Sequence, residues 1–385
     1  MPKAVLIRGA RQLLTLRGSS GPRRGTDLRN LAIIPDGAVL IVNGRIHDVG
    51  PSRRLENLAL ARQADLIDAS GRVVMPGFVD SHTHLASGPL RFHDSSAALN
   101  LARTIQQLSP RTLRAQALHS IENALRHGTT TMESRSGFGV TDANELKILR
   151  VHAALQELSL PLISTFVANT PNLLPLIHRR KLAQFAAAPF GDLARAFLLA
   201  AQQLKFALQI SAGVGSPTEA IALALELDVS SISHLQNATP TDAIRLAQSQ
   251  TVATLLPGPI FHLGTNNYPP ARTLIDAGVA IALGTGFHPE TSPSQSMQMT
   301  IALACRAMNM TPAEALSAST INAAHALRLA SSIGSLESGK AADLLLLDIP
   351  DYRELPYHFG MNLVHMVIKN GQILVERSEV KWPIR

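Results

Sequence analysis

Residues 73–85 read Val-Val-Met-Pro-Gly-Phe-Val-Asp-Ser-His-Thr-His-Leu, an apolar run that passes through Pro76-Gly77 and ends in two histidines. The pattern predicts a buried strand over residues 78–80. Residues two apart on a strand point to the same side, so His82 and His84 would face one space at the strand's end. Imidazole is a common ligand for transition metals, and the pair therefore predicts one bound metal ion. The alternative is two histidines satisfied by ordinary core or surface contacts.

The composition is that of a large globular protein. The 385 residues are 46% hydrophobic and 16% charged, which suits one large domain and a smaller one. The net charge of +7 is scattered and aromatic residues make up 4%, so we expect no binding to nucleic acid. The single cysteine, Cys305, excludes an internal disulfide and fits a reducing compartment. The apolar runs are too short for a signal peptide or a membrane span, so we expect a cytoplasmic protein without membrane contact.

Residues 76–335 alternate between strand-like and helix-like patterns. Repeated β–α units predict a parallel sheet, and seven or eight such units favour a closed (β/α)₈ barrel of the TIM type. An open doubly wound sheet is the competing architecture, but no glycine-rich phosphate loop follows a first strand. Strands are predicted at 78–80, 129–133, 160–167, 206–210, 230–234, 252–256 and 279–283.

Both chain ends have the pattern of short strands joined by turns. Asp36-Gly37 and Asn43-Gly44 are dipeptides that favour tight turns, and they predict hairpins near the start of the chain. Residues 342–348 and 367–375 return to the same pattern near its end. We therefore predict a small β-sandwich domain built from residues 1–75 and 336–385, beside a barrel formed by residues 76–335.

Several motifs in order along the chain resemble the amidohydrolase superfamily, and within it the imidazolonepropionases of histidine degradation. The resemblance covers nearly the whole chain. It implies the barrel, a single Zn or Fe ion, hydrolysis of a cyclic amide C–N bond, and a homodimer. The matching motifs are Pro-Gly-Phe-Val-Asp-Ser-His-Thr-His (76–84), His-Gly-Thr-Thr-Thr-Met-Glu-Ser-Arg-Ser-Gly-Phe-Gly (127–139), Gly-Ser-Leu-Glu-Ser-Gly-Lys-Ala-Ala-Asp-Leu (334–344) and Asp-Tyr-Arg-Glu-Leu-Pro-Tyr-His-Phe-Gly-Met-Asn-Leu (351–363).

The resemblance also implies which residues form the site. In the family pattern the ion is held by the histidine pair, a histidine after the fifth strand and an aspartate after the eighth, and a catalytic histidine follows the sixth. His82 and His84 match the pair, and His234 matches the catalytic histidine. Ser211 and Gly286 stand where the third histidine and the aspartate are expected.

Further candidates lie in or beside the matching motifs. Arg135, Phe138 and Asn362 are the residues that the resemblance assigns to substrate binding, although Phe138 replaces a tyrosine of the pattern. His288 and Glu133 are candidate substitute ligands for the metal. The alternatives are an exposed loop histidine at position 288, and a salt bridge between Glu133 and Arg135.

The replacements leave three functional hypotheses. Two imidazoles alone hold zinc weakly, and neither Ser211 nor Gly286 offers a good ligand. The first hypothesis is a metal-dependent C–N hydrolase with altered ligands and a substrate other than imidazolonepropionate. The second is a catalytically silent relative that holds no ion and binds a small molecule or a partner at the mouth of the barrel. The third is a structural subunit, suggested by helices rich in small residues between positions 299 and 330, which ordinary helix packing also explains.

Overall fold

The computed structural model describes residues 4–86, 103–137, 141–157, 162–168, 170–213, 217–377 and 379–381. Within these ranges the chain forms seventeen strands, numbered in chain order. They are β1 (Ala4–Leu14), β2 (Ile33–Val42), β3 (Arg45–Pro51), β4 (Asp65–Asp68), β5 (Val73–Pro76), β6 (Phe78–Asp80), β7 (Thr129–Arg135), β8 (Leu162–Val167), β9 (Phe185–Pro189), β10 (Ala207–Ser211), β11 (Ser231–Ser233), β12 (Val252–Leu255), β13 (Ile281–Leu283), β14 (Leu344–Leu347), β15 (Val364–Lys369), β16 (Gln372–Glu376) and β17 (Glu379–Val380).

Helices fill most of the connections between the barrel strands. The α-helices span Ser52–Leu55, Pro110–Arg126, Asp142–Gln156, Leu174–Arg180, Ala194–Gln203, Thr218–Glu226, Pro240–Ala247, Pro257–His262, Ala271–Asp276, Met297–Ala307, Pro312–Ala318, Ile321–Ala326 and Glu354–Tyr357.

Eight parallel strands form the barrel, in the order β6 to β13 along both the chain and the sheet. Each crossover carries at least one helix, as parallel pairing requires. The sequence sets several helix starts. Ser109 caps the first long helix by accepting a hydrogen bond from the Thr112 N–H, and Thr239 and Thr311 form capping boxes before two later helices. The predicted fold class is confirmed: a TIM-type barrel beside a sheet built from both chain ends.

The second sheet has nine strands drawn from the two ends of the chain. Its order is β17-β16-β15-β14-β5-β1-β2-β3, with β4 paired to β1. Asn43-Gly44 forms the predicted two-residue turn between β2 and β3. Asp36-Gly37 was predicted as a turn and is not one: the dipeptide lies inside β2, where Gly37 pairs with both Ala10 and Pro51.

The structure contains one barrel strand that the sequence did not predict, and it explains the helices rich in small residues. Strand β9 was absent from the predicted set, because its sequence, Phe-Ala-Ala-Ala-Pro, is rich in a residue that favours helices. The small residues between 299 and 330 lie mostly in the core of the same chain, so ordinary helix packing accounts for them. No helix in the described ranges combines the length and the hydrophobicity needed to cross a bilayer.

Candidate functional site

The carboxyl ends of the barrel strands gather most of the predicted site residues. His82 and His84 follow β6, Arg135 ends β7, Ser211 ends β10 and His234 follows β11. The loop after β13 adds Thr285, Gly286 and His288 at the same end. Because all eight strands are parallel, these positions share one face of the barrel, the face where enzymes of this architecture place their active sites.

Four histidines form a continuous row at this face. The ring centroids of His82 and His84 are 5.6 Å apart. His234 lies 5.7 Å from His82 at one end of the row, and His288 lies 5.7 Å from His84 at the other. His288 is only 4% exposed, so the alternative of an exposed loop histidine is wrong.

Burial keeps these imidazoles neutral. It holds the pKa values of His82 and His84 well below the ordinary value, and neighbouring Arg135 lowers both further. Burial also lowers the pKa of His234 to about 4, with a contribution from Arg135, and that of His288 to about 4. Neutral imidazole is the form that binds metals and that both donates and accepts hydrogen bonds.

A buried polar network fills the barrel interior beside the row. Arg135 donates from Nε to Glu133 Oε2 at 2.9 Å and from Nη2 to Gln209 Oε1 at 2.8 Å. Thr165 donates to the other carboxylate oxygen of Glu133 at 2.5 Å. Glu133 is fully buried, and both of its oxygens are engaged. The salt bridge with Arg135, which the sequence left as an alternative to metal binding by Glu133, is therefore what the structure contains.

Hydrogen bonds that Asp80 accepts join the first barrel strand to the loop after the last one. Its two carboxylate oxygens accept from the Thr285 hydroxyl at 2.6 Å and the Thr285 N–H at 3.0 Å. The His84 N–H donates to the carbonyl of Phe287 at 2.8 Å, in the same seam. Burial raises the pKa of Asp80 to about 7 despite these bonds. The seam fixes the loop that carries Gly286 and His288 against the histidine pair.

Ser211 and Gly286, at the two positions where the resemblance implies metal ligands, have contacts of their own. The hydroxyl of Ser211 lies 3.1 Å from that of Ser233 on the neighbouring strand. Gly286 has φ +61°, a left-handed conformation that side chains rarely adopt. A Cβ atom at this position would come within 3.0 Å of Pro259 Cγ. The backbone at 286 therefore suits glycine, and any side chain there would have to displace Pro259 by a few tenths of an ångström.

The donor atoms present do not fit the mixed histidine and carboxylate set that the resemblance implies for a divalent ion. His82 Nδ1 is buried and has no hydrogen-bond partner among the described residues, as expected of an atom that awaits a ligand. Within the described ranges, however, no three His, Cys, Asp or Glu side chains form a group that could hold a metal ion.

Two predicted substrate residues are not placed with the row. Asn362 donates to the carbonyl of Arg126 and accepts from Gln298. Arg126 lies just before the amino end of β7, so the structure puts Asn362 at the end of the barrel opposite to the histidines. Its side chain ties the β-sheet domain to the barrel, and its assignment to substrate binding stays a prediction that these contacts do not support. Phe138 lies outside the described residues.

Sequence reasoning missed four polar residues at the site. Thr165 and Gln209 point into the barrel one strand and three strands away from Arg135, and Asp80 and Thr285 form the closing seam. Each is a polar residue close to the carboxyl end of an apolar strand, and that pattern was visible in the sequence. Their partners were not visible, because the contacts join segments as far as 205 residues apart.

Comparisons with known proteins agree with this architecture. Two sequence models, each described as "Amidohydrolase family", match residues 65–160 and 201–374. The imidazolonepropionase of Solibacter usitatus is 37% identical over 410 residues, covering 96% of this chain and 98% of that protein. The imidazolonepropionase of Brevibacillus brevis is 36% identical over 427 residues, covering 99% and 100%.

Solved structures show the same fold. An adenosine deaminase from Xanthomonas campestris with bound zinc has a TM-score of 0.75 at 19% identity, covering 98% of this chain and 94% of that one. The guanine deaminase of E. coli also has a TM-score of 0.75, at 17% identity, with coverages of 97% and 99%. These two likenesses concern the fold alone. The full-length identity to the imidazolonepropionases goes further, and by it this chain belongs to the amidohydrolase family as an imidazolonepropionase-like member.

Proposed function

We propose that this chain does not hydrolyse imidazolonepropionate, and that the carboxyl end of its barrel binds a small, uncharged polar molecule. Position 286 carries the first half of the proposal. The family pattern implies an aspartate there, as metal ligand and base, whereas the chain has a left-handed glycine packed against Pro259. Asp80 and Glu133, two carboxylates at this end of the barrel, are already engaged by Thr285 and by Arg135.

Buried atoms without partners support the binding role. Gln209 Nε2 and His82 Nδ1 are inaccessible to solvent and lack hydrogen-bond partners in the described part of the chain. Leaving a buried polar atom without a partner costs about 1–3 kcal/mol of folding free energy. A ligand with complementary polar groups would recover this free energy when it binds. Glu133 neutralises Arg135 and the nearby imidazoles are neutral, so an uncharged ligand suits the site best. Cyclic amides and imidazolones are uncharged and carry both hydrogen-bond donors and acceptors.

A binding experiment with a conservative variant tests the proposal. Uncharged cyclic amides such as hydantoins and imidazolones are titrated into the intact chain by calorimetry. Gln209→Glu keeps an acceptor for Arg135 but removes the Nε2 donor, so we expect binding to weaken about tenfold or more. Gln248→Glu, at an exposed position, is the control for added charge and should bind as the wild type does. Equal affinity in all three proteins would contradict the proposed role of Gln209, and failure of every compound to bind would contradict the binding role itself.

One observation favours a second candidate, hydrolysis of a cyclic amide other than imidazolonepropionate. The row of four neutral imidazoles retains the donors that could hold a divalent ion through His82 and His84. Such an ion, when bound, supplies an activated water at neutral pH. His234 would then accept or donate a proton at the substrate. Turnover of any member of a cyclic-amide panel that disappears in His234→Gln would establish this function, and binding without turnover would leave the first one.

The predicted homodimer and the predicted cytoplasmic location are part of this proposal. Sedimentation of the purified chain tests the first, and fractionation of cells that express it tests the second.

A further inference from the structure

A cavity opens at the amino end of the barrel, the end opposite to the histidine row. Its volume is about 590 Å³, within the range of about 300–1,000 Å³ that small-molecule sites occupy. Three parts of the chain form its walls: the loop 18–22 after β1, the starts of β11 and β12, and the segment 321–340 around the helix Ile321–Ala326. The proposed function makes no use of this cavity.

A buried apolar cluster separates the cavity from the interior of the barrel. The barrel strands contribute Val79, Val252 and Ala280 to this cluster, and the helix Ile321–Ala326 contributes Ala323 and Ala326. Val252 belongs both to the cluster and to the wall of the cavity. The cavity and the histidine row therefore lie at opposite ends of the barrel, with the apolar cluster between them.

Hydrogen bonds hold the loop 18–22 in position over the amino end. The Arg23 N–H donates to Asn322 Oδ1 at 2.8 Å, and Asn322 Nδ2 donates to the carbonyl of Arg23 at 2.9 Å. Arg24 donates to the carbonyls of Ala247 and Gly278 at 3.2 and 3.1 Å, which joins the loop to two barrel connections. Because the walls are fixed in this way, a ligand need not order them when it binds.

Two of the charged side chains along the cavity wall neutralise each other. Lys340 Nζ lies 3.1 Å from Glu337 Oε1, and Lys340 also donates to the carbonyl of Ala330 at 2.7 Å. Ser335 donates to the same carboxylate oxygen of Glu337 at 2.5 Å. This pair therefore offers little net charge to a ligand.

Arg328 and Asp228 line the same cavity as charges of opposite sign that are not paired. Arg328 donates from Nε to Ser230 Oγ at 2.7 Å, whereas its two Nη groups contact no acceptor in the described part of the chain. Neither Arg328 nor Asp228 forms a salt bridge with any described residue. Both are exposed, so a ligand can reach them from solvent. One cavity thus presents a free cation and a free anion.

The ring of His325 indicates the sign of the charge on the Arg328 side of the cavity. Burial lowers the pKa of this imidazole to about 4, and Lys340 and Arg23 lower it further against a hydrogen bond to the backbone of Gly21. The Arg328 N–H donates to the carbonyl of His325 at 2.9 Å, so the two residues are close neighbours. The surrounding cations favour an anionic group of a ligand on this side.

We propose that this cavity binds a free amino acid as its zwitterion. The planar Nη groups of Arg328 match a carboxylate in bidentate geometry. The carboxylate of Asp228 attracts the ammonium group of the same molecule. A ligand with only one of the two charges leaves either Arg328 or Asp228 unmatched.

Amino-acid binding to the intact chain tests the proposal. The common L-amino acids are titrated one at a time by calorimetry. The tightest binder is then compared with its analogue that lacks the amino group and its analogue that lacks the carboxylate. We expect at least one amino acid to bind, and each singly charged analogue to bind about tenfold more weakly or worse.

Variants locate the binding site. Arg328→Asn and Asp228→Asn each remove one charge, and asparagine tolerates the left-handed backbone, φ +55° and +49°, at these positions. We expect each variant to bind the amino acid about tenfold more weakly or worse. Arg377→Asn is the matched control, because Arg377 is also exposed and left-handed, with φ +48°, but lies outside the cavity. Gln209→Glu, at the other end of the barrel, should bind the amino acid as the wild type does.

Three outcomes would overturn the proposal. They are the failure of every amino acid to bind, a singly charged analogue that binds as tightly as the amino acid, and an affinity that falls in Gln209→Glu but not in Arg328→Asn and Asp228→Asn. Thermal unfolding shows whether each variant is folded, so misfolding is not mistaken for a lost contact. The proposal does not rest on the proposed function, because binding of cyclic amides is tested at Gln209 and binding of amino acids at Arg328 and Asp228.

Discussion

Gly286 is the residue at which we propose that the chain lacks a metal ligand, and its left-handed backbone favours glycine. Gly286→Ala combines a left-handed backbone with a contact of 3.0 Å to Pro259. We expect the free energy of unfolding to fall by about 2–3 kcal/mol, since the left-handed conformation alone costs roughly 1–2 kcal/mol for an L residue. Urea unfolding of the variant and the wild type measures this loss.

Gly71 provides the control for this substitution. It has φ +77° and no heavy atom within 4 Å of the position of a Cβ, so Gly71→Ala isolates the backbone cost. The difference between the two alanine variants is then the cost of the Pro259 contact. Equal losses would mean that the Pro259 contact relaxes freely and that only the backbone cost remains at 286.

The buried ion pair of Glu133 and Arg135 permits a second prediction at this scale. Glu133→Gln leaves the guanidinium of Arg135 buried without its counter-charge, and we expect a loss of about 3–5 kcal/mol in unfolding free energy. Restoring charge balance in Glu133→Gln/Arg135→Met should recover part of that loss. The exposed pair Arg195–Glu226 is the control, where Glu226→Gln should cost less than about 1 kcal/mol. A small effect at Glu133 would show that water or another anion reaches Arg135.

The same residues show how far the sequence determines the site. The positions of His82, His84 and His234 follow from local strand patterns, so they were predictable. The sequence left Glu133 and His288 each with two interpretations, because choosing between them required knowing which side chains meet across the barrel. Pairing with Arg135 in one case, and burial beside His84 in the other, are contacts between distant segments.

At the scale of elements, the seam between β6 and β13 closes the barrel where the hydrogen-bonded ladder ends. Thr285→Val removes the hydroxyl that donates to Asp80 and that accepts from the Phe287 N–H. We expect a loss of about 1–3 kcal/mol in unfolding free energy, together with faster amide exchange in β6 and β13 than in β9 and β10 on the far side. Thr26→Val, at an exposed position, is the control for loss of a hydroxyl. Uniformly faster exchange in all strands would contradict a local role for the seam.

Elements with one dominant signal were predicted well, and those with competing signals were not. The helix from Pro110 begins at the residue that its Ser109 cap and N-terminal proline indicate. Strand β9 escaped prediction because Ala186–Ala188 favour helix locally, and only pairing with β8 and β10 makes the segment a strand. The dipeptide Asp36-Gly37 by itself favours a turn. Pairing of β2 with β1 on one side and with β3 on the other keeps it in the strand.

At the scale of the whole molecule, buried histidines make stability depend on acid pH. Burial lowers the pKa of His152 to about 3, and its two ring nitrogens contact the hydroxyls of Ser134 and Ser164 at 2.9 and 3.0 Å. Because the folded state binds this proton less readily than the unfolded state, stability is present above about pH 6.5 and is lost as the pH falls towards 3. The contribution lost from His152 between pH 7 and pH 4.5 is about 2–3 kcal/mol.

A pair of variants measures this contribution. In His152→Gln the free energy of unfolding should fall less steeply between pH 7 and pH 4.5 than in the wild type. His119→Gln, at an exposed position, should leave the slope unchanged. If both variants keep the wild-type slope, His152 is not a source of the acid sensitivity.

The architecture was predictable because many weak signals agree. Repeated β–α units, matching end segments and ordered motifs all indicate one barrel with a sheet from both chain ends, and no single residue decides that outcome. The chemistry depends on a few positions, and a change at one of them alters the site without disturbing the fold. The same chain therefore resembles imidazolonepropionases over nearly its full length, while we propose that Ser211 and Gly286 do not supply the two ligands that the resemblance implies at these positions.

Hydrolysis of imidazolonepropionate is the measurement that tests the central claim most directly. The chain, loaded in turn with Zn²⁺ and Fe²⁺, is assayed beside the imidazolonepropionase of Solibacter usitatus under identical conditions. We predict turnover by the relative and none above the buffer background by this chain. Metal-dependent turnover by this chain that is lost in His234→Gln would contradict the claim.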